Sequence, residues 1–146
     1  MIDYYSSSTI LQKRLSFLNS LGFDRFKMMT ESSSLAGDSL LLHYESSKTG
    51  RKIDISYSCA QKGRPFTFVV FLFSKDGDSF SLEDWLNLKG KKQAIKLVSD
   101  SDSNISEDDF ITEFAASFEK ICRSDLKKII NGSHWESVPF DWKGYR

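Results

Sequence analysis

The chain has 146 residues, which is the length of one ordinary domain. Its 20 Lys and Arg residues balance its 20 Asp and Glu residues, so the formal net charge is zero, and aromatic residues make up 14% of the chain. Zero net charge excludes a globally basic nucleic-acid-binding protein. The aromatic content excludes a globally disordered chain.

The cysteines and the longest apolar run indicate where the protein resides. Cys59 and Cys122 lie in different segments and form no CxxC pair, so we expect both to be small core residues in a reducing compartment. The N-terminal residues lack the basic and apolar regions of a secretory signal. The longest apolar run is Phe68–Phe73, whereas a membrane-spanning helix needs about 20 residues. We expect one soluble, cytoplasmic domain over residues 1–146 that does not contact a membrane.

The first predicted element is a helix from about Thr9 to Leu21. Thr9 and Gln12 have the spacing of a capping box, and Gly22 supplies the residue that commonly ends a helix. Its leucines recur at helical spacing on one face: Leu11, Leu15, Leu18 and Leu21.

Four strand candidates follow, separated by Ser- and Gly-rich turns that include residues 31–38 and 46–51. They are Phe23–Met29, Ser39–Glu45, Lys52–Cys59 and Phe66–Phe73. The third alternates apolar and polar residues, which is typical of a half-exposed antiparallel strand. The fourth is apolar at nearly every position, which predicts a central strand covered on both faces. The short connections favour antiparallel pairing.

Two helices are predicted in the second half. After a turn at residues 75–78, Ser81 and Asp84 form a capping box for a short helix that Gly90 ends. Residues 91–98 are compatible with strand or helix. Ser106 caps a long helix from about Glu107 to Gly132, with a possible break at residues 124–125. Its apolar stripe comprises Phe110, Ile111, Phe114, Phe118, Ile121, Cys122 and Leu126.

The order of these elements predicts an α+β fold. It consists of an N-terminal helix, an antiparallel meander of four to five strands, a short helix, and a long C-terminal amphipathic helix packed on one sheet face. The tail, residues 133–146, carries His134, Trp135, Phe140, Trp142 and Tyr145. We expect this tail to pack back onto the body, the alternative being an exposed aromatic docking segment.

Sequence signatures of catalysis and metal binding are missing. The chain contains no GxSxG, GxxxxGK[ST], GxGxxG or HExxH motif. Only His43 and His134 can act as imidazole bases. Residues 100–104 match the first ligand positions of an EF-hand, but Ile105 and Ile111 replace its essential Gly and Glu. We therefore predict no catalytic residue, no metal and no cofactor, with a small enzyme carrying an unrecognised site as an alternative.

The charges are distributed unevenly along the chain. Residues 1–75 carry a net charge of +4, residues 76–113 carry −6, and residues 114–146 carry +2. The acidic segment predicts an aromatic-studded docking surface in which at least one of Phe80 and Trp85 is partly exposed. Its predicted partner-binding residues are Asp76, Asp78, Phe80, Glu83, Asp84, Trp85, Asp100 and Asp102. Alternatively, these acids only form turns and helix caps.

A basic patch in the first segment is the one feature that favours nucleic-acid binding. It would comprise Arg51, Lys52, Lys62 and Arg64. Because the chain is neutral, we expect a protein partner and no nucleic acid.

Five stretches, in their order along the chain, carry a family resemblance. They read KIDISY, FVVFLF, FSLEDWL, DDFITEFAASFEKI and LKKIINGSHW. In this order of elements the chain resembles the small immunity proteins encoded beside bacterial polymorphic and contact-dependent growth-inhibition toxins. The resemblance implies a cytoplasmic, non-enzymatic protein that binds a cognate toxin domain tightly and neutralises it. Many such proteins are acidic, whereas this chain is neutral, and an adaptor or secretion chaperone remains the alternative.

Overall fold

The computed structural model describes residues 4–33, 37–58, 66–99 and 105–138. It confirms the α+β class, with an N-terminal helix, five antiparallel strands, a short helix and a long C-terminal helix. Among the described residues, no helix combines the length and apolar character that a membrane span requires. The elements are α1 Tyr4–Arg14, α2 Phe17–Ser20, β1 Arg25–Ser33, β2 Gly37–Glu45, β3 Lys52–Ser58, β4 Thr67–Phe73, β5 Ser79–Ser81, α3 Leu82–Leu88, α4 Glu107–Arg123 and α5 Lys127–Ile130.

The five strands form one sheet in the order β1-β2-β3-β4-β5, each antiparallel to the next. This meander follows from the short connections, which leave no room for crossovers. Because side chains alternate along a strand, one face of the sheet carries the buried apolar residues. On the three central strands these are Leu40, Leu42, Tyr44, Ile53, Ile55, Tyr57, Phe68, Val70 and Leu72.

Aromatic rings join this buried face to α4. The Phe114 ring lies parallel to the Phe68 ring with their centroids 3.8 Å apart, and both side chains are at most 1% exposed. Phe110 also contacts Phe68, at 5.6 Å between centroids. The predicted apolar stripe of the long helix is therefore confirmed as the surface that covers the sheet.

A polar cluster connects the first helix, the sheet and α4 beside this core. The Tyr57 hydroxyl donates a hydrogen bond to Glu107 Oε2 at 2.6 Å, and the Ser7 hydroxyl donates to Glu107 Oε1 at 3.0 Å. Bonds to an ionised acceptor are stronger than neutral ones, and a lone buried hydroxyl is costly. Glu107 therefore connects three elements, α1, β3 and α4.

The N-terminal helix differs from its predicted bounds. Helix α1 includes Thr9 in its interior, so the predicted capping box at this residue is wrong. The helical segment is then interrupted before α2. The Ser16 hydroxyl donates to the carbonyl of Lys13 at 2.8 Å, a local bond that competes with the regular helix.

The end of the long helix also differs, because α4 ends at Arg123, with Ser124 as its C-cap, and α5 follows as a separate turn. The Ser124 hydroxyl donates to the carbonyl of Lys120 at 2.7 Å, which marks the break left open by the sequence. Gly132 ends the segment with φ +83, and a Cβ at this position would lie 2.8 Å from Thr49. Both the backbone conformation and the close approach therefore require glycine.

Two strand predictions need correction. The turn predicted at residues 31–38 is shorter, because β1 extends to Ser33 and β2 begins at Gly37. Strand β4 is central but is not covered on both faces, since Val69 is 43% and Phe71 40% exposed. The alternate residues of the apolar run thus face away from the core.

Replacing Phe114 with alanine tests the core between α4 and the sheet. The substitution removes a ring stacked on Phe68 at the centre of the core, so we expect the free energy of unfolding to fall by about 3–5 kcal/mol. Urea denaturation measures this loss. A loss below about 1 kcal/mol would show that the stripe does not form the core.

Candidate binding surface

The face of the sheet opposite α4, here called the open face, carries a mixed set of apolar and polar side chains. Three of its large apolar residues are substantially exposed: Met29 at 46%, Val69 at 43% and Phe71 at 40%. Large apolar side chains grouped on one surface are a frequent mark of a binding site. Its residues on β1 to β4 are Lys27, Met29, Leu41, His43, Asp54, Ser56, Val69 and Phe71.

The strand register arranges these residues in two rows across the sheet. One row runs Met29, Leu41, Ser56 and Val69, and the next runs Lys27, His43, Asp54 and Phe71. Apolar side chains thus flank a polar centre. Phe71 also contacts Phe73 on the same strand, with ring centroids 6.5 Å apart.

The polar centre is a pair of His43 and Asp54, which lie directly opposite each other on β2 and β3. His43 Nδ1 contacts Asp54 Oδ1, and the side chains are 29% and 26% exposed. A carboxylate bonded to one ring nitrogen fixes the orientation of an imidazole, as in catalytic triads. Within the described residues, however, no hydroxyl is hydrogen-bonded to His43.

Neither histidine lines either of the two larger grooves found among the described residues. A groove of about 240 Å³ lies between α3 and residues 92–98, and one of about 200 Å³ lies between the first two helices and β1. In the described ranges, no group of three or more His, Cys, Asp or Glu side chains is placed to hold a metal ion.

The two aromatic residues of the predicted acidic surface are buried. Phe80 is 3% and Trp85 2% exposed, so the expectation that one of them is partly exposed is wrong. The Phe80 ring packs against Trp135 at 5.1 Å between centroids, and the Trp85 side chain lies on the inner face of α3. Neither ring is presented to a partner.

The predicted acids are divided among different environments. Asp76 and Glu83 are exposed, and Asp84 is half-buried next to the Ser81 cap. Glu83 lines the groove beside α3 together with Lys92 and Lys96, so lysines interrupt the acidic character there. The other two acids, Asp100 and Asp102, lie outside the described residues.

Asp78 bonds within the chain. Trp135 Nε1–H donates to Asp78 Oδ2 at 2.8 Å, and the Ser137 hydroxyl donates to the same oxygen at 2.9 Å. These two donors, the indole first, lower the pKa of the Asp78 carboxyl below its usual value. Asp78 therefore anchors the tail at residues 135–137.

Arg51 anchors the same tail from the other side. Its Nε–H donates to the Ile129 carbonyl at 3.0 Å and Nη2 donates to the His134 carbonyl at 3.2 Å. The guanidinium carbon lies 5.0 Å from the centroid of Trp135. Because Arg51 is only 9% exposed, it is not part of an exposed basic patch. Lys62 and Arg64 lie outside the described residues.

Residues 133–138 thus lie against the body, through Trp135 and through an ion pair of Lys89 with Glu136 at 2.6 Å. Residues 139–146, with Phe140, Trp142 and Tyr145, lie outside the described part of the chain. Cys122 is 1% exposed, which confirms it as a core residue, and burial raises the pKa of its thiol. The prediction for Cys59 falls on a residue outside the described ranges.

No protein-family model, no curated protein and no solved structure matches this chain. The similarity to immunity proteins therefore remains a prediction from the sequence. The candidate surface is inferred from the geometry of the sheet alone.

Acidification should weaken the docking of the tail by protonating Asp78. Its pKa is lowered in the folded chain, so its contribution to docking is complete above the unfolded-state value, about 3.9, and is lost as the pH falls through the folded-state value. We expect the change between about pH 5 and pH 2. Tryptophan fluorescence measured over this range follows the loss of the contact between Trp135 and Asp78.

Asp78→Asn should remove this acid-linked change. Asp24→Asn is the matched control, because the pKa of Asp24 is also lowered, but by the side chain and backbone of Ser47. An unchanged fluorescence titration in Asp78→Asn would contradict the assignment.

Proposed function

We propose that this chain is a non-enzymatic protein-binding domain of the cytoplasm that neutralises a cognate bacterial toxin by forming a tight complex. One observation supports binding through a surface: the open face groups Met29, Val69 and Phe71, each at least 40% exposed, around a polar pair. The toxin as partner rests on the resemblance of the sequence.

The open face has the composition of a binding centre. Hot spots of protein interfaces are apolar or aromatic anchors that exclude water around a few polar groups. Phe71 is the aromatic anchor, and the His43–Asp54 pair beside it supplies a fixed donor and acceptor. The acidic segment offers no such anchor, because Phe80 and Trp85 are buried.

The charges beside this centre indicate the chemistry of the partner surface. Arg25 and Lys27 on β1 are exposed and form no ion pair with another described residue. On β2 and β3, Glu45 and Lys52 are 3.9 Å apart and offset each other. Arg25 and Lys27 therefore place two exposed cations at one end of β1, and complementarity favours an apolar partner patch with carboxylates on that side.

This partner chemistry departs from that of a basic nuclease held by acids. The surface that blocks the toxin would be the open face, and Asp76, Glu83 and Asp84 would lie outside the contact. The toxin would contact the open face through a surface of its own that is acidic and apolar.

Phe71→Arg tests the open face in the presence of the toxin domain that we expect to be encoded next to this gene. The substitution replaces an exposed aromatic anchor with a charge, so we expect the dissociation constant to rise at least about tenfold, equivalent to about 1.4 kcal/mol. Calorimetry with the purified toxin domain measures the affinity, and survival of cells expressing both proteins measures neutralisation.

Leu88→Arg is the matched control, because Leu88 is 53% exposed on α3 and lies away from the open face. It should bind the toxin as the unsubstituted chain does. Binding that is lost in Leu88→Arg and retained in Phe71→Arg would move the site to α3. An unsubstituted chain that forms no complex, with cells still killed, would reject the toxin as partner.

A further inference from the structure

Strand β1 is an edge of the sheet, and no described strand pairs with its outer side. Its pairing with β2 runs without a bulge from Arg25 opposite Glu45 to Ser33 opposite Gly37. The strand contains no proline and no glycine. Long regular edges offer backbone donors and acceptors to another strand, and proteins usually interrupt or cover them.

Apolar exposure is concentrated on this edge. Three of the seven large hydrophobic residues exposed in the described part of the chain lie on β1: Phe26 at 40%, Met28 at 40% and Met29 at 46%. Phe26 and Met28 share the helix-covered face with their partners Tyr44 and Leu42, whereas Met29 lies on the open face. A strand added at this edge would cover apolar side chains on both faces.

We propose that β1 pairs with β1 of a second copy of this chain, forming a two-fold dimer with a continuous ten-stranded sheet. Antiparallel pairing of identical strands requires a two-fold axis perpendicular to the sheet, which keeps the helices of both copies on one side. Residues opposite each other must then share a face. The axis therefore lies between the two strands at the level of one residue of β1, which stands opposite the same residue of the second copy.

The charges of β1 are self-complementary about its centre. With the axis at Met28, Arg25 of each copy stands opposite position 31, a glutamate in the sequence. With the axis at Met29, Lys27 stands opposite the same position. Opposite charges across a strand pair stabilise it and like charges destabilise it.

Neighbouring registers lack this complementarity. An axis at Lys27 places two lysines opposite each other, and an axis at Thr30 opposes no unlike charges. The charge pattern of β1 therefore favours the two registers with the axis at Met28 or at Met29. In these registers, Met28 or Met29 lies opposite the same residue of the second copy. This self-complementarity identifies a second copy, and not a foreign strand, as the occupant of the edge.

The dimer does not require the toxin, but it pairs Arg25 or Lys27 with position 31 of the second copy and so offsets part of the charge that the proposed function assigns to the toxin contact. Because the axis is perpendicular to the sheet, the open faces of both copies lie side by side and form one surface of twice the area. The dimer would therefore display two copies of the proposed binding centre on one side.

The mass of the chain in solution tests the proposal. Sedimentation equilibrium over a range of concentrations should give twice the monomer mass of 16.7 kDa. Glu31→Lys should weaken the dimer at least about tenfold, because it places like charges opposite each other in either register. Glu113→Lys makes the same charge change at an exposed position of α4 and should leave the dimer unchanged.

Second substitutions identify the register. Adding Arg25→Glu to Glu31→Lys restores dimerisation if the axis is at Met28, and adding Lys27→Glu restores it if the axis is at Met29. Circular dichroism shows that each variant is folded. A chain that is monomeric at every concentration would overturn the proposal, even if its edge binds a strand of another protein. A dimer that Glu31→Lys leaves intact would also overturn it.

Cross-linking gives a readout that does not depend on charge. Opposite Cα atoms of an antiparallel pair are about 4.5–5.5 Å apart, within the range of a disulfide. In a Cys59→Ser background, Met28→Cys or Met29→Cys should form a disulfide dimer on mild oxidation, according to the register. Cys122 is 1% exposed and cannot compete. Failure of both variants to cross-link would overturn the pairing.

Discussion

The structure depends on one constraint: among the described residues, helices cover the five-stranded sheet on one face only. The stacked rings of Phe68 and Phe114 join the sheet to α4, and the remaining core residues of both elements extend from this contact. The opposite face, with Val69 and Phe71, is therefore left at the surface as a consequence of the architecture.

The one-sided packing accounts for the character of the open face. Three of its four strands, β2 to β4, are paired on both sides, so the backbone there is held rigidly while the side chains remain accessible. Rigid strands position side chains with less loss of entropy on binding than loops do. The His43–Asp54 pair adds a fixed polar element between apolar rows, which favours recognition of one orientation of a partner.

Local patterns predicted much of the fold, and long-range contacts were not predictable. The stripe of α4 and the Ser106 and Ser81 caps follow from spacing within one turn of helix, and the structure has them. The apolar run of β4 contains no information on what covers each face, so it predicts a strand covered on both faces, whereas Val69 and Phe71 are exposed. The bond of Asp78 to Trp135 joins residues 57 positions apart, and no local pattern reveals it.

Hydroxyl-radical footprinting of the chain with the toxin domain proposed as its partner tests the central claim, that the open face is the binding surface. The account predicts that modification of Phe71 falls when the complex forms, while modification of Leu88 on α3 stays at its free level. A complex in which Phe71 reacts as it does in the free chain, and in which the protected residues lie on α3, would contradict the account.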